Sequence, residues 1–130
     1  MNIVAYSKKK QGNLKVANNF RVREFACKDG TDPVFISRDL VSILQKVRDH
    51  FGKMVVINSG YRTPAYNKKC GGAEYSQHLY GMASDIVVEG VTPAIVAEYL
   101  ETLLPNTGGI GIYRAFVHVD VRQTKSRWRG

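Results

Sequence analysis

The sequence has little of what would set it apart from an ordinary globular chain. It has two cysteines in 130 residues, Cys27 and Cys70, too few for a disulfide framework and not spaced as CxxC. Each reads as a small buried hydrophobe, and a bridge between them stays open. No apolar run approaches the ~20 residues needed to cross a bilayer. At the start, four apolar or small residues from Ile3 to Tyr6 precede Lys8, Lys9 and Lys10. A secretory leader needs the reverse order, so none is expected. Proline is scarce (4 residues), and no repeat, low-complexity tract or Pro/Ser-rich linker divides the chain. Negative charge is short as well: 11 Asp+Glu face 19 Lys+Arg, a net charge of +8. Such a surface attracts polyanions, whether nucleic acid, anionic lipid or the teichoic acids of a bacterial wall, and charge does not choose among them. The cations bunch at Lys8–Lys10 and again at Arg122, Lys125, Arg127 and Arg129, as solvated tails also would.

What is there suffices for one core. Hydrophobic residues make up 44%, with 7 Tyr, 5 Phe and 1 Trp. Residues 1–19 are polar and weakly patterned, so a flexible N-terminal arm is expected there and a single ordered domain over 20–130. Leu40, Ile43, Leu44, Val47 and Phe51 recur at helical steps, which predicts a helix over Ser37–Phe51. Ser37 would cap it, Asp39 would suit its start and Gly52 its exit. Met54–Ile57 and Ala83–Val88 read as strands. Pro64 suits the first turn of a short helix that Cys70-Gly71-Gly72 breaks. Thr92 and Pro93 open a second long helix that stops before Pro105. Ile110–Tyr113 and Phe116–Arg122 form a hairpin around Arg114-Ala115. Two main helices on a small, mainly antiparallel sheet make an α+β fold.

The chain has three histidines. His50 sits beside the apolar stripe of the first helix and reads as a partly exposed helix residue. His78 and His118 each have a carboxylate placed to work with them. A bend at Gly81 could bring His78 near Asp85 on the following strand. In Phe116-Val117-His118-Val119-Asp120-Val121, strand alternation sends the valines to the core and His118 with Asp120 to the other face. Imidazole nitrogen and carboxylate oxygen are good zinc ligands, and three of them leave a fourth position open, as a catalytic site does. The spacing alone leaves the bland reading standing: Asp85 could simply cap a turn.

Ser59-Gly60-Tyr61-Arg62-Thr63-Pro64-Ala65-Tyr66-Asn67, Ser76-x-His78-x-x-Gly81-x-Ala83-x-Asp85 and His118-Val119-Asp120 together resemble the zinc D-Ala-D-Ala carboxypeptidases. These belong to a wider group with the lysostaphin-type endopeptidases and the hedgehog domain. The resemblance runs from about Phe20 to Trp128. It implies a hedgehog/D-Ala-D-Ala-peptidase-like fold and one zinc ion held by His78, Asp85 and His118, with water as fourth ligand. It also implies hydrolysis of peptide bonds in peptidoglycan stems. Arg62 would meet a substrate carboxylate or the oxyanion, or else form only a surface salt bridge. Many relatives carry an acidic base three residues before the last histidine, where this chain has Ala115. Asp120 is the nearest substitute and Glu74 a weaker one, and Asp120 could instead orient a ligand. Ser76 would cap the turn before His78 or touch substrate. Tyr113 would reach the cleft mouth or pack. Trp128 would close the cleft or cover the sheet edge.

The expected function is therefore a monomeric zinc metallopeptidase on peptidoglycan stem peptides, a D-Ala-D-Ala carboxypeptidase or an endolysin-type endopeptidase. It would have neither a nucleic-acid nor a membrane partner. It would be cytoplasmic at synthesis, and a phage-encoded version would reach the wall after release. Two other readings stand beside it. One is a zinc-containing wall-binding module without catalysis, which Ala115 favours. The other is a nucleic-acid-binding protein, which rests on net charge alone.

Overall fold

The computed structural model describes residues 2–130; Met1, within the expected arm, lies outside the described residues. The stripe of apolar residues does form a helix, α2 (Arg38–Phe51). Leu40, Ile43, Leu44 and Val47 are buried, each such side chain adding on the order of 1.5–3 kcal/mol of burial. The Ser37 hydroxyl accepts the Leu40 N–H at 3.3 Å, and Gly52 leaves with φ 63°. The second long helix, α4 (Pro93–Leu103), has Pro93 in its first turn, but Thr92 makes no side-chain cap hydrogen bond. The short helix α3 (Pro64–Lys69) is capped by Thr63, whose hydroxyl accepts the Tyr66 N–H at 3.2 Å.

Five strands form the main sheet: β5 (Val55–Ser59), β6 (Ala83–Val88), β7 (Gly109–Ile112), β8 (Val117–Asp120) and β9 (Ser126–Arg129). Their order is β5-β6-β8-β7-β9, antiparallel except for β9, which runs parallel to β7. The expected hairpin is there, with Ile110 opposite Val119 and Ile112 opposite Val117. The Tyr113 N–H donates to the Phe116 carbonyl at 3.0 Å to close it. Helix α4 packs on β6, β7 and β8 and against α2. Val117 and Val119 enter the core between them, which leaves the opposite face for His118 and Asp120. The fold is α+β with small antiparallel sheets and one mixed sheet.

The N-terminal stretch differs from the arm expected over 1–19. Its strand β1 (Ile3–Ser7) pairs antiparallel with β4 (Pro33–Ser37), and β2 (Lys15–Ala17) pairs with β3 (Phe20–Arg21). Between them the short helix α1 (Lys8–Gln11) starts under the Ser7 hydroxyl, which accepts the Lys10 N–H at 3.2 Å. Asp32 ties this corner down by accepting from the Lys9 N–H at 2.8 Å and the Ser7 hydroxyl at 3.0 Å. No local pattern announces β1, because its partner is far along the chain and β1 is half exposed. No helix among the described residues is long and apolar enough to cross a membrane. Both cysteines are free: Cys27 is buried, as expected, but Cys70 is exposed.

Candidate metal and active site

One row of residues crosses the whole main sheet. Ser59 on β5 is opposite Asp85 on β6, Asp85 opposite His118 on β8, His118 opposite Gly111 on β7, and Gly111 opposite Trp128 on β9. Because side chains alternate between faces, registered residues share a face, and this row builds the floor of a cleft. His78 comes in from a 3-10 turn (Gln77–Tyr80) laid beside it. The Ser76 hydroxyl accepts the His78 N–H at 3.2 Å and so starts that turn. Gly81 ends it at φ +71° with the Phe35 carbonyl so close that a Cβ would collide with it. Only glycine meets both conditions.

His78, Asp85 and His118 are all buried, and each offers one ligand atom, all within 4.8 Å of one another. The His78 Nδ1 lies 2.7 Å from the Gly60 carbonyl. A carbonyl only accepts, so Nδ1 carries the proton and Nε2 turns a lone pair toward Asp85 Oδ1, 3.3 Å away. His118 places Nδ1 3.0 Å from the same Oδ1 and Nε2 2.7 Å from Asp120 Oδ2. The second oxygen of Asp85 accepts from Arg62 at 3.2 Å. The free atoms of all three side chains therefore point to one place while their other atoms are held from behind. Two imidazoles and one carboxylate are a donor set that fits zinc, and the pinned far sides are what orient such ligands.

The electrostatics follow from the same contacts. Burial acts to raise the Asp85 pKa, but the His118 and His78 imidazoles beside its Oδ1 outweigh it, so the carboxyl is held well below the usual range. Burial likewise opposes charge on His118, and the bonds to Asp120 and Asp85 overcome it, raising that imidazole. Asp120 is driven down against its burial by His118 and then by Arg122.

Asp120 is fully enclosed, with 0% exposure. Its Oδ1 accepts from the Gly109 N–H at 2.9 Å and from Arg122 Nε at 2.8 Å. Its Oδ2 accepts from His118 and, at 2.7 Å, from Arg122. Of the two roles expected for Asp120, general base or ligand-orienter, these contacts are those of the orienter. Both of its oxygens are engaged by protein donors, and it does not line the cleft. Glu74 does not line the cleft either.

The cleft encloses about 450 Å³ and is walled by Arg62, Ser76, Tyr113 and Trp128 besides the three clustered side chains. Arg62 is no loose surface charge. It donates to Ser59 at 2.9 Å, Asn67 at 3.1 Å and Asp85, which leaves two of the five guanidinium N–H groups for a ligand. The Trp128 indole N–H donates to the Tyr113 hydroxyl at 2.9 Å. Trp128 serves both expectations, covering the sheet edge on β9 and walling the cleft. His50 is elsewhere, stacked on Tyr99 at 3.7 Å.

Sequence reasoning missed three contributors. Gly60 supplies the carbonyl that fixes His78. Arg122 continues the Val-His-Val-Asp-Val alternation one step further and clamps Asp120. Gly111 has no side chain because the Trp128 indole fills that space. The signal for the last was the Gly-Ile-Gly-Ile alternation of β7, with isoleucines to the core and glycines to the site.

A family model described as Peptidase M15 matches residues 13–120. The chain belongs to the peptidase M15 family. Its members are zinc-dependent, and membership supports metallopeptidase activity on a peptide substrate. The match spans every residue of the clustered triad. No curated protein matches the chain.

Proposed function

We propose that this M15 protein is a zinc peptidase that hydrolyses a peptide bond in the stem peptides of bacterial peptidoglycan. It would act as a D-Ala-D-Ala carboxypeptidase or an endolysin-type endopeptidase. The carrying observation is the convergence of His78, Asp85 and His118 on an open cleft beside Arg62. One zinc ion would be held by His78 Nε2, Asp85 Oδ1 and His118 Nδ1, with water at the fourth position. When bound, zinc acts as a Lewis acid that acidifies water toward a pKa of about 7 and polarises the scissile carbonyl.

The protein's own groups orient the ligands and hold the substrate. Gly60 and Asp120 fix the two imidazoles in the tautomers that turn a lone pair into the cleft. Arg62 holds Asp85 Oδ2, so that Oδ1 stays aimed, and offers its free N–H groups to a substrate carboxylate or to the oxyanion. The Tyr113 oxygen accepts from Trp128, which leaves its own O–H to donate to the substrate. Ser76 holds the His78 turn in place and contributes to the cleft wall.

A second reading is favoured by one observation: Asp85 is the only carboxylate residue lining the cleft among the described residues. A non-catalytic, zinc-containing wall-binding module needs no second acid.

Mass spectrometry of peptidoglycan and soluble muropeptides, incubated with zinc-loaded and with chelator-stripped protein, separates the two. Metal-dependent loss of terminal D-Ala marks a carboxypeptidase, and new stem or cross-link ends an endopeptidase. Unchanged substrates despite bound zinc would select the module.

A further inference from the structure

The 3-10 turn that carries His78 separates two cavities. His78 faces the cleft, whereas Leu79 and Tyr80 line a second cavity of about 630 Å³ on the other side. The two meet along Gln77 and Arg122, which line both. This second cavity differs in chemistry from the cleft. Its walls include the rings of Phe35, Tyr61 and Tyr80, the first two packed edge to face at 5.2 Å. Phe35 and Tyr80 are 36% and 46% exposed, large for aromatic side chains. The amides of Gln77 and Gln123 stand with them.

An occupant reaching this cavity from the cleft is part of the same substrate. On the peptidoglycan reading, on which this inference rests, the candidates are few. The stem offers alanine methyls, a glutamate and a diamino acid, none of which presents a broad apolar face. The amino sugar at the head of the stem does. A pyranose ring shows a face of C–H groups whose slight positive charge suits the negative face of an aromatic ring. Its hydroxyls and N-acetyl group match side-chain amides, which both donate and accept.

We propose that the cavity walled by Phe35, Tyr61 and Tyr80 is a sugar subsite that seats the N-acetylated amino sugar bearing the stem peptide. A consequence for the reaction follows from reach. An extended peptide advances at most about 3.3–3.6 Å per residue, and the two cavities abut. The bond in the cleft is then one close to the sugar, not the terminal D-Ala bond some four residues further out.

The test compares two substrates of one peptide sequence with zinc-loaded protein: the free stem peptide, and the same stem joined to its N-acetylglucosamine–N-acetylmuramic acid disaccharide. The disaccharide peptide should show kcat/KM at least tenfold higher, cut near the sugar. Tyr80→Ala should bring the ratio of the two substrates close to one, and Tyr80→Phe, which keeps the ring, should preserve it. Equal rates for the two substrates, or a ratio that Tyr80→Ala leaves intact, would overturn the sugar subsite while the peptidase stands. Cleavage of neither substrate would instead overturn the peptidoglycan reading itself.

Discussion

Replacing Asp120 by asparagine swaps an acceptor-only carboxylate for an amide that must also donate, in a position where His118, Gly109 and Arg122 all need an acceptor. The imidazole would lose its anchor before anything else changed. Asp120→Asn is therefore expected to lower zinc affinity about 10- to 100-fold, the usual cost of losing a ligand's supporting carboxylate. Zinc titration against a competing chelator measures it. A general base would behave otherwise, with turnover lost and affinity intact. The triad of His78, Asp85 and His118 was read from the resemblance of the Ser76–Asp85 and His118–Asp120 blocks, since the valine alternation and the Gly81 bend put the residues in reach but left the bland reading standing. The role of Asp120 was not legible in the sequence. Alternation puts it on the right face, but only the position of Arg122 and of the Gly109 N–H decides whether its oxygens meet water or protein.

At the scale of elements, α2, α4 and the β7–β8 hairpin were readable because each declares itself over a short local stretch by its apolar period and flanking breakers. The β1–β4 pair was not, since neither strand carries its reason to exist. Asp32 is what makes that corner hold. The Lys9 N–H first, and the Ser7 hydroxyl with it, keep its pKa below the ordinary value although burial opposes this. A carboxyl lowered on folding adds stability above its unfolded pKa and loses it as acid carries the pH down through its folded one. Asp32→Asn should therefore be less stable than the parent near neutrality. The gap should narrow as the pH falls below about 4, as read from denaturant midpoints. A gap constant across that range would show that Asp32 acts through geometry alone. Deleting residues 1–7 should lower the thermal midpoint by several degrees, because β4 loses its pairing partner. An unchanged midpoint would restore the arm first expected there.

Across the whole molecule, Arg62, Arg122 and Arg127 have carboxylate partners, and much of the net charge of +8 faces solvent. Lys8, Lys9, Lys10 and Arg23 border one shallow cavity that no acidic residue lines. On the proposed wall-directed function, attraction to an anionic polymer should therefore weaken steeply with salt, the screening length being about 8 Å at physiological ionic strength. Cleavage of a small neutral peptide should hardly respond. Parallel loss of both on adding salt would put the electrostatics in the cleft instead. Zinc at about a thousand times its dissociation constant should stabilise the fold by about 4 kcal/mol, and chelation should reverse this.

The row from Ser59 through Asp85, His118 and Gly111 to Trp128 also governs how the protein comes into being. Asp85 and His118 face each other on one rung of β6 and β8, so on the proposed function the step that aligns those strands would also create the affinity for metal. A slip of one residue would turn His118 into the core and erase it. On that function, metal capture during refolding would serve as a clock for strand alignment. Its appearance would mark the moment when β8 locks beside β6, and a misaligned chain would remain silent to zinc however compact it had become.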